Sequence, residues 1–164
     1  MPTIPQLLQD LAPWIYEEDR CTVHDLEFYE EFNAGYRPSN WTGNPATDEE
    51  FLTFAQDGVG GQYTLWLGAR SLDESPVVKL GRDGELLVLA RDPLDFAWLI
   101  ASGVEPIGVG DDGVREVAEP TPAMQEWVRS QAPGRTFVDP AATLRAAHEA
   151  YPELVARVRA FTST

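Results

Sequence analysis

The chain has 164 residues, enough for one domain that buries about 70% of the surface its unfolded form exposes. Its 43% apolar and 10% aromatic content exclude a disordered chain. Its 27 acidic residues against 12 basic ones give a net charge of -15, which repels nucleic acid and anionic membrane and draws in basic partners. The same charge also serves solubility or adaptation to salt, and by itself it identifies no binding face.

Cys21 has no mate for a disulfide within the chain. No apolar run approaches the roughly 20 residues of a membrane span. The first residues, MPTIPQLLQDLAPW, lack the basic start and continuous apolar core of a signal peptide. A reducing, cytoplasmic compartment is therefore expected. The Ala, Arg, Gly and Pro content suits a GC-rich bacterial coding sequence.

Residues 3–12 read as a short helix. Ile4, Leu7, Leu8 and Leu11 recur on one stripe, and Pro13 is expected to end it. Residues 23–32 fit neither period: Leu26, Phe28, Tyr29 and Phe32 interleave with Glu27, Glu30 and Glu31. That pattern suits a strand or short helix with an acidic outer face. Residues 33–45 read as loop, pinned to the core by Tyr36 and Trp41.

The stretch 47–103 carries the densest local signals. Thr47 and Glu50 have the spacing of a capping box, which predicts a helix burying Phe51, Phe54 and Ala55 and stopping at a left-handed Gly58. Residues 62–69 alternate, with Tyr63, Leu65 and Leu67 on one side and Thr64, Trp66 and Gly68 on the other. A loop over 70–75 carries Asp73 and Glu74. Strands at 77–80 and 85–90 flank Gly81-Arg82-Asp83-Gly84, a hairpin signal. Leu86-Leu87-Val88-Leu89 is apolar throughout, which predicts a central strand covered on both faces. Asp92 and Pro93 then open a helix so apolar that it must lie on the sheet.

Residues 104–117 are rich in Gly and Asp and leave room for one edge strand. Thr121-Pro122, Asp139-Pro140 and Tyr151-Pro152 each announce a helix. This part is more basic, with Arg129, Arg135, Arg145, Arg157 and Arg159. It either packs on the same core or forms an appendage.

Chemistry is sparse. Cys21 and His24 could pair as nucleophile and base, or begin a metal site, but His148 is the one other histidine. A buried cysteine beside a surface histidine accounts for both. Gly108 to Gly113 matches G-x-G-x-x-G, yet Val114 to Val117 is too short and β-like for the required helix. A turn is expected. Gly58-Val59-Gly60-Gly61 has no following lysine and makes no phosphate loop. The chain is read as non-enzymatic, with no catalytic residue, cofactor or metal.

Three segments carry a family resemblance: Phe54-Ala55-Gln56-Asp57-Gly58-Val59-Gly60-Gly61, then Pro76-Val77-Val78-Lys79-Leu80-Gly81-Arg82-Asp83-Gly84-Glu85, then Asp92-Pro93-Leu94-Asp95-Phe96-Ala97-Trp98-Leu99-Ile100. They resemble the SUKH superfamily, which includes fungal cell-wall-synthesis regulators and bacterial immunity proteins. The hairpin departs from the usual Gly-Ser-Glu-Gly but keeps its turn chemistry. The resemblance implies an α+β fold, a mostly antiparallel twisted sheet flanked by helices. Within a single domain over 1–164, the core falls at 47–103 and a helical part at 120–164. It also implies a binding role, neutralising a toxin, with a regulatory or scaffold role as the alternative and a Cys21–His24 enzyme as a remote one. The expected partner is a basic toxin domain, met by Glu17, Glu18, Asp19, Asp73, Glu74, Asp111 and Asp112. Trp66 joins them if the helix after Asp92 leaves its face uncovered; otherwise it is core.

Overall fold

From Phe51 to Ala90 almost every strand position is buried, so the segment can only be stable as a sheet with cover on both faces. The computed structural model describes residues 2–17, 20–114 and 117–163. In it β1 (Leu26–Phe28), β2 (Phe51–Asp57), β3 (Gln62–Trp66), β4 (Val77–Leu80) and β5 (Leu86–Ala90) form one antiparallel sheet in sequential order. Helices α1 (Gln6–Tyr16), α2 (Pro38–Thr42), α3 (Pro93–Ala101), α4 (Pro122–Gln131), α5 (Pro140–Ala150) and α6 (Leu154–Thr162) surround it. A small hairpin of β6 (Val109–Gly110) and β7 (Gly113–Val114) stands apart. The fold is α+β.

Side-chain alternation divides the cover. Tyr63, Leu65, Val77, Leu87 and Leu89 pack with α1, α3 and α4 on one face. Phe51, Val78, Leu80, Leu86 and Val88 pack with α6 and Ala147 of α5 on the other. A bulge between Thr53 and Ala55 turns Phe54 inward as well. There it meets Phe96 edge-on at 5.6 Å. The C-terminal helices are thus the second wall of the core.

Both sheet edges are closed. At β1, Tyr29 N–H points inward to Phe54 O, so the backbone of Phe28 faces out. The Tyr16 hydroxyl accepts from Phe28 N–H and donates to Phe28 O at 3.4 Å. At β5, α5 contributes Leu144 to one apolar cluster and Ala147 to the other, so it straddles that edge.

Several expectations are corrected. Residues 47–58 are not a helix: Pro45–Glu49 is a short 3-10 turn and Phe51–Asp57 is β2. The capping box does not form, because Thr47 hydrogen-bonds Thr42 and Glu50 binds Arg157. Tertiary burial of five consecutive residues, Phe51 to Ala55, outweighs the local cap. The left-handed residue is Gly60, φ 92°, rather than Gly58. Pro13 lies inside α1. Strand β5 is covered on both faces but sits at the edge, not the centre. The loop over 33–45 contains α2, whose Trp41 donates to Gly81 O.

Two cations fasten the cover to the sheet. Lys79 is 2% exposed and donates to the carbonyls of Pro106, Ile107 and Val109 at 2.8, 3.2 and 2.7 Å. It holds the connection after α3 down on the sheet. Arg135, between α4 and α5, donates to Asp92 at 2.9 and 3.2 Å and to Asp95 at 2.6 Å. Asp92 is also the cap of α3, accepting from Asp95 N–H. Beside this fork Trp98 stacks on Phe137 at 4.9 Å and donates to Val138 O.

Removing the fork leaves the buried Asp95 with Arg91 as its remaining ion partner. Arg135→Ala is therefore expected to lower stability by about 2–4 kcal/mol, the arginine being partly solvated. Urea unfolding checks this; a loss under about 0.5 kcal/mol, the size of an ordinary surface change, would contradict it.

Candidate functional site

The structure scatters the acidic residues singled out in the sequence. Glu17 follows α1 and pairs with Arg20 at 3.0 Å. Glu18 and Asp19 lie outside the described residues. Asp111 and Asp112 form the exposed turn between β6 and β7. That turn is the G-x-G-x-x-G stretch, with Gly113 at φ 106°. Asp73 and Glu74 lie in a short 3-10 turn between β3 and β4, close to Trp66.

The Trp66 region is the most developed of these places. Trp66 ends β3 on the face away from α3, half-buried. Its backbone N–H and C=O both bond the Ser75 hydroxyl, at 2.8 Å each. This draws Asp73 and Glu74 alongside. A side chain at position 68 would run into the indole, its Cβ 2.1 Å from Trp66 Cζ2. Gly68 therefore lets the chain fold over the ring. On the other side Tyr151 meets Trp66 edge-on at 6.1 Å and reaches toward Glu74 O. Burial, then the charges of Asp92 and Glu74, push the Tyr151 phenol up.

Trp66 and Tyr151 open into a groove of about 680 Å³ along α6, lined further by Ala156, Ala160, Glu153 and Arg157. Glu50 neutralises Arg157 through two hydrogen bonds. The site thus combines an aromatic wall, an alanine floor and one lining carboxylate, Glu153, with Glu74 near the Tyr151 hydroxyl.

A second hollow, of about 560 Å³, is polar. His24, Asp25, Glu27 and Gln56 line it with Arg82 from the β4–β5 hairpin. Its back wall is the β2–β3 turn, organised by Asp57, which accepts from Val59 and Gly61 N–H and from the Tyr63 hydroxyl. Asp25 was not singled out in the sequence, and Glu27 entered there only as part of an acidic outer face. Their one signal was alternation with apolar neighbours. A third groove, about 790 Å³, lies between α5 and the β6–β7 hairpin. There Asp111 and Asp112 of the hairpin turn line the groove together with Asp139, Arg145 and His148 of α5 and an apolar floor that includes Leu87 and Leu144.

Cys21 and His24 each bond a backbone carbonyl rather than each other. The thiol is 6% exposed and donates to Val23 O at 3.0 Å. Burial pushes its pKa up, which disfavours the thiolate. His24 Nδ1 lies 3.3 Å from Ile15 O instead. Among the described residues no group of three or more His, Cys, Asp or Glu side chains is arranged to hold a metal ion, and no helix is long and apolar enough to cross a membrane.

No family model, curated protein or solved structure matches this chain.

Two outcomes are expected here. An aromatic disulfide reagent should label Cys21 at least about 100-fold more slowly in native protein than in urea, because attack requires local opening. Rapid labelling at neutral pH would contradict the buried-thiol geometry. Tyr63 offers a second. Burial first, then Asp57, holds its phenol well above 10.0. The folded state therefore binds this proton more tightly than the unfolded state. The resulting stability is complete below about pH 10 and is lost as pH rises through the raised value. Tyr63→Phe should be less stable at neutral pH and show a shallower alkaline decline. An unchanged alkaline profile would contradict the assignment.

Proposed function

We propose that this chain is a non-enzymatic protein-binding module of SUKH type. Its role is that of an immunity protein, which neutralises a bacterial toxin in the cytoplasm through an acidic surface. The observation that carries this reading is the placement of Trp66 and Tyr151 in an open groove beside Asp73, Glu74 and Glu153. Large aromatic side chains at the mouth of a groove supply contact area at low entropic cost. Carboxylates around them steer a basic partner and set its orientation. The resemblance of residues 54–61, 76–85 and 92–100 to the SUKH superfamily supports the same role, as do the inward-turned thiol and the closed sheet edges. With both edges covered, a partner has side chains and loops to grip rather than an open strand.

The test has a cellular and a kinetic arm. The gene next to this one in its source genome is expressed in a bacterial host with and without this chain. Rescue of growth supports immunity. A neighbour that is harmless, with a host protein recovered from the native strain instead, supports a regulatory role and refutes immunity. For the purified pair, the association rate should fall at least about tenfold from low to high salt while dissociation changes little. A rate insensitive to salt would remove charge from the mechanism.

A further inference from the structure

The binding reading leaves open what the groove along α6 holds, and the three hollows described above differ in the charge they can accept, while a smaller one of about 240 Å³ beside Glu30 and Glu31 contains no aromatic wall comparable to Trp66 and Tyr151. The polar hollow already contains Arg82. The groove beside the β6–β7 hairpin carries Arg145 and His148 on one wall. Along α6 the lining cation, Arg157, is engaged by Glu50. Glu153 and Asp73 carry no ion pair among the described residues, and Glu74 meets only the Ser71 hydroxyl, at 3.3 Å. Arg70, in the loop after β3, and Arg159, in the last turn of α6, are further cations of these elements, against the carboxylates of Asp73, Glu74 and Glu153. The balance is therefore negative around a mostly apolar floor.

The floor is shaped for one kind of visitor. Glu153, Ala156, Arg157 and Ala160 fall on one face of α6, and the alanines let a second backbone or a small side chain approach closely. At its end stands the Trp66 ring, held from behind by Gly68 and edge-on by Tyr151. An aromatic face beside carboxylates favours a flat, weakly hydrated cation. A second copy of this chain is disfavoured as the occupant, because each would bring a net charge of -15.

We propose that the groove between Trp66 and α6 seats a cationic segment of a partner protein. An arginine of that segment lies over the Trp66 ring within reach of Glu74 and Glu153, and small apolar side chains rest on Ala156 and Ala160. This rests on the binding reading and specifies its surface.

The test is a titration of isotope-labelled protein at low salt, read at the Trp66 indole signal and at the amides of Ala156 and Ala160. The indole signal is assigned by its loss in Trp66→Phe. The probes are a short synthetic peptide alternating arginine and leucine, and its counterpart with lysine in place of arginine. The arginine peptide should move all three signals saturably. The lysine peptide should bind about threefold to tenfold more weakly, lacking the planar stack. A Glu74→Gln, Glu153→Gln double variant, exposed and outside the core, should lose about tenfold in affinity. Thermal unfolding of that variant confirms that it stays folded.

Three results overturn the proposal: fixed Trp66 and α6 signals while Asp25 and Glu27 or Asp111 and Asp112 respond; equal affinity of the double variant; or a Trp66 signal that shifts with protein concentration alone, which assigns the groove to a second copy. Growth rescue separates this failure from failure of the functional reading. Rescue that survives Trp66→Phe and the double variant refutes the groove alone, whereas absence of rescue by the unaltered chain refutes immunity itself.

Discussion

The fold depends on a sheet that has no polar face. Strands β2 to β5 present buried side chains upward and downward alike. Such a sheet is insoluble unless helices lie on both sides. Helices α1 and α3 satisfy one face with α4 behind them; α6 and part of α5 satisfy the other. Helices α5 and α6 are therefore part of the core through Leu144, Ala147, Leu154 and Val158. Once both faces and both edges are covered, what is left for recognition is loops, helix exteriors and the seams between them. The three hollows described above lie at such seams.

Polar groups inside this body are few and fully engaged. Lys79 spreads its charge over three carbonyls, and Asp57 organises the β2–β3 turn. Arg135 clamps the first turn of α3. No buried side-chain polar atom lacks a partner among the described residues. This has an electrostatic consequence. The chain's cations are scarce, and Lys79, Arg91, Arg135 and Arg157 are committed to holding the fold together. Exposed carboxylates at Asp25, Glu27, Asp73, Asp111, Asp112 and Glu153 are left without an ion pair among the described residues. The negative potential is a surface property produced partly by where the positive charges are used.

Much of this was legible in the residues. The Asp-Gly hairpin and the Asp92–Pro93 and Asp139–Pro140 starts of α3 and α5 follow from turn and capping chemistry, while α4 and α6 form without a side-chain cap and were announced by proline position and apolar spacing. The segment 47–58 misled because its local signal was a true cap pattern, while its fate was decided by the covering of Phe51 to Ala55 on both faces. No window of one chain segment contains that information. Pro13 misled in the same way: packing of Leu8, Leu11 and Ile15 holds α1 together across it. Lys79 was not singled out in the sequence, since nothing nearby in it announces the carbonyls of Pro106 to Val109. The Trp66 groove joins β3 to the α5–α6 connection and α6, elements some ninety residues apart. Sequence supplied Trp66, Asp73 and Glu74 as separate candidates; Tyr151 and Glu153 enter only through the packing of α6.

The partner-binding surface proposed for this scaffold is the seam at Trp66 and α6. Hydrogen exchange of the protein with and without the purified product of the adjacent gene addresses that most directly. Slowed exchange confined to residues 67–75 and 150–162, with the sheet unchanged, is the predicted result. Protection centred instead on residues 21–31, or loosening of the sheet strands on binding, would contradict it.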